Sequence, residues 1–250
     1  MDKQYYKDYY FLEKKHWWFT ARKEILEDII RRKINPTHPI KILNIGTATG
    51  AGTLMLQTFG HVTSIEYDED CCKFLNEELK ITTQQGSITA LEFENEQFDL
   101  VCAFDVIEHV EDDGLAAAEM LRVCKKDGFV FTTVPAFMLL WSEHDVVNHH
   151  HRRYRINQFR NLFKVDDSTI VFQSYFNCFF FIPIAFIRIL LWPFQKNKLK
   201  NNRVAKSDFS RFNADGILNK ILFRIFLIEK TLLKFIKFPF GVSICLMIKK

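Results

Sequence analysis

The stretch Lys41-Ile42-Leu43-Asn44-Ile45-Gly46-Thr47-Ala48-Thr49-Gly50-Ala51-Gly52 decides the fold, because a short apolar run breaks there into a loop of glycines and small residues. Ile40 to Ile45 is apolar, partly β-branched and bounded by turn signals, which predicts a buried parallel strand. Gly46, Ala48 and Gly50 leave little side-chain bulk behind it, so a ligand can approach the backbone between the strand end and the next helix. Twenty positions beyond Gly46, Glu66 closes a second apolar run, His61 to Ile65. A carboxylate there offers two acceptor oxygens to the adjacent hydroxyls of a ribose.

Two cofactors fit this arrangement, a dinucleotide and S-adenosylmethionine. A dinucleotide needs its pyrophosphate cradled at the helix N-terminus, usually by a Gly-x-Gly-x-x-Gly loop. The loop here, Gly-Thr-Ala-Thr-Gly-Ala-Gly, is closer to the Gly-x-Gly-x-Gly of class I S-adenosylmethionine-dependent methyltransferases. Three further segments resemble that family in order. Ile81 to Gln85 with Gly86-Ser87-Ile88 is similar to its third strand and the adenine-holding turn. Phe98 to Val110, containing Phe104-Asp105 and Glu108-His109, resembles its fourth-strand motif. Lys126 to Pro135 resembles its turn and fifth strand. Two positions depart from the family pattern: Asn44 stands where an acidic residue is common, and Ala48 replaces the middle glycine.

The resemblance implies a Rossmann-like α/β fold. Its seven-stranded sheet would be mostly parallel with an antiparallel last strand, helices on both faces and a C-terminal helical insertion. It implies S-adenosylmethionine as cofactor and S-adenosylhomocysteine as product. It places Gly46, Thr47, Ala48, Gly50, Glu66, Tyr67, Ser87, Ile88, Phe104 and Asp105 around the cofactor. The expected organisation is an N-terminal helical lid over 1–38, a core over 39–178, an apolar and basic helical insertion over 179–239, and a closing strand over 240–250.

Two motifs outside the core carry the substrate question. The first, His16-Trp17-Trp18-Phe19-Thr20-Ala21-Arg22, precedes a helix expected from about Ala21 to Lys33. Its aromatics, Trp18 among them, can form a lid that touches substrate, and Arg22 can pair with the methionine carboxylate of the cofactor. The alternative is that Trp17, Trp18 and Phe19 only pack the helix onto the sheet. The second, Leu140 to Tyr154, resembles a Trp-Ser-x-His-Asp and His-x-Arg-Arg-Tyr pattern. That pattern belongs to a bacterial methyltransferase subgroup associated with cell-envelope glycan or lipid pathways. Aligned that way, His144, Asp145, His150, Arg152, Arg153 and Tyr154 match. A loop leaving the fifth strand lies beside the cofactor crevice. There His144 can take a proton from an acceptor while Asp145 orients it. His150, Arg152, Arg153 and Tyr154 are then substrate-binding candidates, the arginines for a phosphate or carboxylate. Metal ligation is not expected: His149, His150 and His151 are adjacent, and consecutive side chains diverge unless the loop curls. His109 is expected to serve in packing or at a helix terminus.

The 250 residues suit one main domain with an elaboration. Six cysteines without paired spacing suggest neither a zinc ribbon nor a disulfide framework, and a reducing cytoplasm is the simplest setting. Charge is unevenly spread. Residues 1–187 carry 20 Lys and Arg against 27 Asp and Glu, whereas residues 188–250 carry 14 against 3. The C-terminal end therefore expects an anionic partner. Phe176 to Phe194 is almost wholly apolar apart from Arg188, but Pro183 and Pro193 argue against a simple membrane span. A buried helix or a monotopic membrane contact are the two readings, and a basic amphipathic helix from Asp215 to about Lys237 fits either. Gln195 to Arg211 is expected to be a mobile connection.

The predicted function is methyl transfer from S-adenosylmethionine to a small-molecule or lipid- or glycan-linked acceptor, in the cytoplasm or at the inner face of an anionic membrane. The competing readings are an NAD-dependent oxidoreductase and a non-catalytic membrane-surface protein of the same fold. Nucleic acid is not an expected partner, because the basic region is rich in phenylalanine and no Asn-Pro-Pro-Tyr-like sequence follows the fourth strand.

Overall fold

The run from Ile40 to Ile45 forms β1 within a seven-stranded sheet, with Ile42 and Leu43 fully buried. The computed structural model describes residues 3–164, 168–199 and 215–250. The other strands are β2 (Gly60–Glu66), β3 (Gln84–Gln85), β4 (Phe98–Phe104), β5 (Cys124–Pro135), β6 (Thr169–Phe176) and β7 (Ser243–Lys249). They lie in the order β3-β2-β1-β4-β5-β7-β6. β1 to β5 pair in parallel, and β7 runs antiparallel between β5 and β6. The Rossmann-like α/β sheet with an antiparallel last strand is thus as expected.

From β1 the chain steps outward to β2 and β3, then returns to β4 on the other side of β1. The crevice outside the carboxyl ends of β1 and β4 is consequently the switch point, where open α/β sheets bind ligands. β1 and β4 are in register from Ile42 opposite Leu100 to Ile45 opposite Ala103, so both deliver their loops to the same edge.

Two helices, α1 (Lys3–Lys15) and α2 (Trp17–Lys33), precede the sheet. α2 buries Phe19, Ala21, Ile25, Leu26, Ile29 and Ile30, the three-and-four spacing of one helical face. It begins at Trp17, earlier than expected, because the His16 ring accepts the Trp18 N–H at 3.2 Å and caps the first turn. The aromatic motif is therefore helical. Five helices follow between the strands: α3 (Ala51–Leu56), α4 (Glu69–Phe74), α5 (Asp113–Val123), α6 (Glu143–Val147) and α7 (Ile156–Leu162). The insertion between β6 and β7 contains α8 (Phe181–Leu199) and α9 (Ile217–Leu232). α9 packs against α2, with Lys230 paired to Glu24 at 2.8 Å. Trp17 sits between Phe180 and Phe226, with ring centroids 4.8 and 5.8 Å away. Asn219 of α9 accepts the Trp17 N–H at 2.7 Å and donates to the Lys15 carbonyl at 2.9 Å, which fixes the junction of α1 and α2.

Four local expectations are corrected. β3 is shorter than Ile81 to Gln85, because the Asn76 amide takes both the N–H and the carbonyl of Thr83 and leaves them unable to join a ladder. α9 is capped by Gly216 and ends at Leu232; Asp215 instead pairs with Lys15 at 3.0 Å. α8 is not a buried helix, since Ile182, Phe186, Ile187 and Leu190 are each more than half exposed. The expected connection from Gln195 to Arg211 begins as the end of α8, and its remainder from 200 lies outside the described residues. Among the described residues no helix is long and apolar enough to cross a membrane.

Candidate active site

The turn after β1 is built for close approach. Gly46 and Gly50 both adopt left-handed backbone, at φ 72° and 91°, and a Cβ on Gly46 would collide with the Val106 side chain. Ala48 is left-handed too, at φ 47°. Four of the loop's own N–H groups are already used. Those of Gly46 and Thr47 bond the Ile65 carbonyl, that of Ala48 bonds Glu66 Oε2 at 2.9 Å, and that of Gly50 bonds the Thr47 carbonyl. Glu66 Oε1 accepts the N–H groups of Tyr67 and Asp68 at 2.8 and 3.2 Å. An ionised carboxylate has about four lone-pair sites, so Oε2 keeps acceptor capacity towards the cleft.

A second carboxylate, Glu13 of α1, reaches into the N-terminus of α3. It accepts from the Thr49 hydroxyl just ahead of that helix. Burial is the largest influence on it and pushes its pKa up to about 7, against the pull of the Thr49 hydrogen bond and of Arg22. The position where a pyrophosphate would need helix N–H groups is therefore taken by an acid of the chain itself.

Asp105 ends β4 in left-handed backbone at φ 56° and pairs with Arg22 at 2.6 Å. Arg22 also donates to Thr133 Oγ1 at 2.8 Å and lies under the Trp18 ring, 5.0 Å from its centroid. Arg22 is thus held by Asp105 within the protein, while its buried Nε has no hydrogen-bond partner. These groups line one cleft of about 1500 Å³. Gly46, Thr47, Ala48, Glu66, Tyr67, Ser87, Ile88, Phe104, Asp105, Arg22 and Trp18 all contribute to its wall. Gly50 stands behind the loop, where a Cβ would meet Ile81. Tyr67 is at the lip, 77% exposed.

The segment from His144 to Tyr154 is divided between cleft and interior. His144, His149, His150, His151 and Arg153 line the cleft. Asp145 does not orient His144. It is fully buried, with Oδ1 bonded to His150 Nδ1 at 2.9 Å and both oxygens gripped by Arg153 at 2.7 and 3.0 Å. Burial alone would raise its pKa, but the His150 hydrogen bond and the Arg153 guanidinium outweigh that and hold the carboxyl well below the usual range. The Asn148 amide nitrogen lies 3.2 Å from the His144 ring, and the His150 ring faces it edge-on at 6.0 Å. Arg153 is spent on Asp145 and is not a ready anion clamp. Arg152 pairs with Asp113 at 2.9 Å and with the Glu111 carbonyl. Tyr154 is buried and donates to Asp113 at 2.8 Å, so it and Arg152 stand outside the cleft wall.

Two cleft residues escape a reading of the sequence for site chemistry. Glu13 lies in a helix rich in lysine and aromatics, with nothing nearby to mark it. Glu108 belongs to the fourth-strand motif but reads there as part of a turn. It is fully buried, and neither carboxylate oxygen has a hydrogen-bond partner. Burial and the nearby Asp105 carboxylate drive its pKa well up. His109 beside it is exposed on the cleft wall, next to His150. The single carboxylate inside Val106-Ile107-Glu108-His109-Val110 is the signal that could have found it.

Residues 43–132 match a family model described as a methyltransferase domain. No curated protein matches the chain. The fold is similar to that of a SAM dependent methyltransferase from Archaeoglobus fulgidus, at 16% identity over 91% of this chain and 94% of that one, with a TM-score of 0.52. It is also similar to the MccD protein, at 12% identity over 90% and 95% with a TM-score of 0.55. A third similar structure is a (4+2)-cyclase, SpnF, at 13% identity over 91% and 80% with a TM-score of 0.54. At these identities the likeness is one of fold, and the cyclase bears a different activity on it.

Proposed function

We propose that this protein is an S-adenosylmethionine-dependent methyltransferase whose acceptor is a small molecule or a lipid- or glycan-linked group. The observation that carries the reading is the convergence, at one switch-point cleft, of a left-handed glycine turn, the Glu66 carboxylate and Arg22. These fit the cofactor. Glu66 Oε2 retains acceptor capacity for a ribose hydroxyl, Gly46 lets the loop turn tightly at the cleft wall over Val106, and Arg22, paired with Asp105, brings a guanidinium to the same wall. The walls near Ser87 and Ile88 suit an adenine. The methyltransferase domain match over residues 43–132 supports the same reading. Glu13 on Thr49 just ahead of α3, with four loop N–H groups already bonded, speaks against a dinucleotide.

When bound, the cofactor supplies a methyl made electrophilic by its cationic sulfur. The protein's task is to align an acceptor and to manage one proton. His144 on the cleft wall is our candidate to take that proton, beside Asn148 rather than Asp145. The far end of the cleft is lined by Ile184, Ile187 and Arg188 of α8 and Leu222 of α9, an apolar wall with one cation. That composition favours an acceptor with an apolar body, as in a lipid-linked molecule at a membrane surface.

Calorimetric titration with S-adenosylhomocysteine and with NAD separates the readings. We expect S-adenosylhomocysteine to bind and NAD not to; binding of NAD alone overturns the assignment, and binding of neither favours a non-catalytic protein. Transfer of label from methyl-tritiated S-adenosylmethionine to a lipid extract tests the acceptor class. His144→Ala should lower that transfer about 100-fold while retaining S-adenosylhomocysteine binding.

A further inference from the structure

We propose that Glu108, His109 and His150 form a binding site for one divalent first-row transition cation, of which Zn²⁺ is the probe. The three offer ligand atoms that all lie within 4.8 Å of one another. Bonds of roughly 2.1 Å in a tetrahedral site bring donors to about 3.4 Å apart, so side-chain adjustments of an ångström or so close the site. The donors come from two segments far apart in sequence. Glu108 and His109 sit on the short 3-10 turn Ile107–His109 after β4, and His150 on the loop after α6. The His151 N–H bonds the Glu108 carbonyl at 2.8 Å and ties the two segments together. The His109 and His150 rings meet edge to face at 4.5 Å.

Two independent features point to a cation. The first is the Glu108 carboxylate, fully buried at the cleft with both oxygens unpartnered. A buried carboxyl whose two oxygens meet no partner is costly in either protonation state, and a bound cation would satisfy both oxygens. The nearest guanidinium groups are committed elsewhere, Arg22 to Asp105 and Arg153 to Asp145. The second is the outer shell. His150 Nδ1 is held by Asp145, which Arg153 and the Ser142 N–H fix in turn, and this leaves Nε2 as the donor atom. His109 stands against the His150 ring on the same cleft wall. Carboxylate or carbonyl partners on the far nitrogen are what orient metal-binding imidazoles.

Two imidazoles and one carboxylate select a borderline d-block cation over Mg²⁺ or Ca²⁺, which prefer all-oxygen shells. Three protein donors leave coordination positions open towards the cleft, where an oxygen of the bound molecule can enter. The site does not depend on the methyl-transfer reading, and its test needs no cofactor.

The full-length protein, stripped with a chelator, is titrated with Zn²⁺ by calorimetry and with Co²⁺ by visible absorption. The expected result is one tight equivalent of Zn²⁺ and a Co²⁺ spectrum of low coordination number. Glu108→Gln, nearly isosteric, and His150→Asn should each weaken Zn²⁺ binding at least tenfold, and Glu108→Gln should abolish the Co²⁺ bands. The exposed neighbours are the control: the double variant His149→Asn/His151→Asn should bind within threefold of the natural protein. Absence of tight binding by the natural protein overturns the site, as does loss that follows His149 and His151 instead of Glu108. Circular dichroism checks that each variant folds. Should His150→Asn not fold, Glu108→Gln and the cobalt spectrum decide alone.

Discussion

Gly46 shows how one residue carries both fold and site. Its left-handed backbone lets the chain leave β1 and turn beneath the cleft, and its missing Cβ makes room for Val106. Gly46→Ala adds backbone strain of about 1–2 kcal/mol and a collision besides. We expect it to destabilise the protein in urea unfolding and to reduce S-adenosylhomocysteine affinity. The companion variant Gly46→Ala/Val106→Ala should recover the collision but not the strain; full recovery would mean that φ at this position is immaterial. Arg153 makes the opposite point. The sequence pairs it with Arg152 as an acceptor clamp, yet the structure gives its fork to the buried Asp145. A sequence motif names residue types at a spacing, and it cannot say which partner a guanidinium meets across eight positions. Arg153→Ala leaves a buried carboxylate without its counter-charge and should cost about 3–5 kcal/mol in urea melts. A stability unchanged within 1 kcal/mol would return Arg153 to the list of substrate contacts.

At the scale of elements, β1 and β4 were legible because each is a short apolar run ended by turn residues, as a parallel strand buried on both faces reads, and β7 as the apolar closing run. β3 was not, because its pairing is decided by the Asn76 side chain, a contact that no periodicity encodes. The placement of α9 was equally hidden. Its Glu229 carboxylate is buried and accepts the N–H groups of Asn177, Cys178 and Phe179, at 2.7, 2.7 and 3.2 Å, where β6 ends. One acid in a helix of alternating apolar and basic residues gives no warning of that. Burial raises its pKa to about 7 from an ordinary 4.5, with the three N–H donors pulling the other way. The folded state thus prefers the protonated acid. Its contribution to stability is complete below pH 4.5 and is lost as pH rises through 7, at about 1.4 kcal/mol per unit within that window. Relative to Glu229→Gln, the natural protein should lose roughly 3 kcal/mol between pH 4.5 and 7 in parallel urea titrations. A difference that stays flat with pH would mean that the three donors keep the carboxylate ionised when folded.

At the scale of the whole molecule, large apolar side chains are exposed together along α8. Ile182, Phe186, Ile187 and Leu190 project from α8, which touches the turn bearing the exposed Met138 and Leu139, and Ile187 also lines the cleft. A soluble monomer seldom exposes so many large apolar groups together unless something covers them. The composition of residues 188–250, with 14 basic and 3 acidic residues, favours an anionic membrane surface as that cover. Burying one such side chain contributes about 1.5–3 kcal/mol, and each basic residue near an anionic surface adds about 1 kcal/mol. A few of each suffice for peripheral binding without a span. The protein should therefore sediment with vesicles containing phosphatidylglycerol at low salt, but not with purely zwitterionic vesicles. Binding should weaken as salt shortens the screening length from about 10 Å at 0.1 M to about 3 Å at 1 M. Ile182→Ser/Phe186→Ser removes apolar area only, so it should weaken binding at least tenfold while leaving the salt dependence unchanged. If instead the natural protein ignores anionic vesicles at low salt and elutes as a dimer that this double variant dissociates, the face is a contact between two copies. The cleft mouth beside α8 would then have to admit an acceptor from water, because a partner subunit rather than a lipid surface would stand over it.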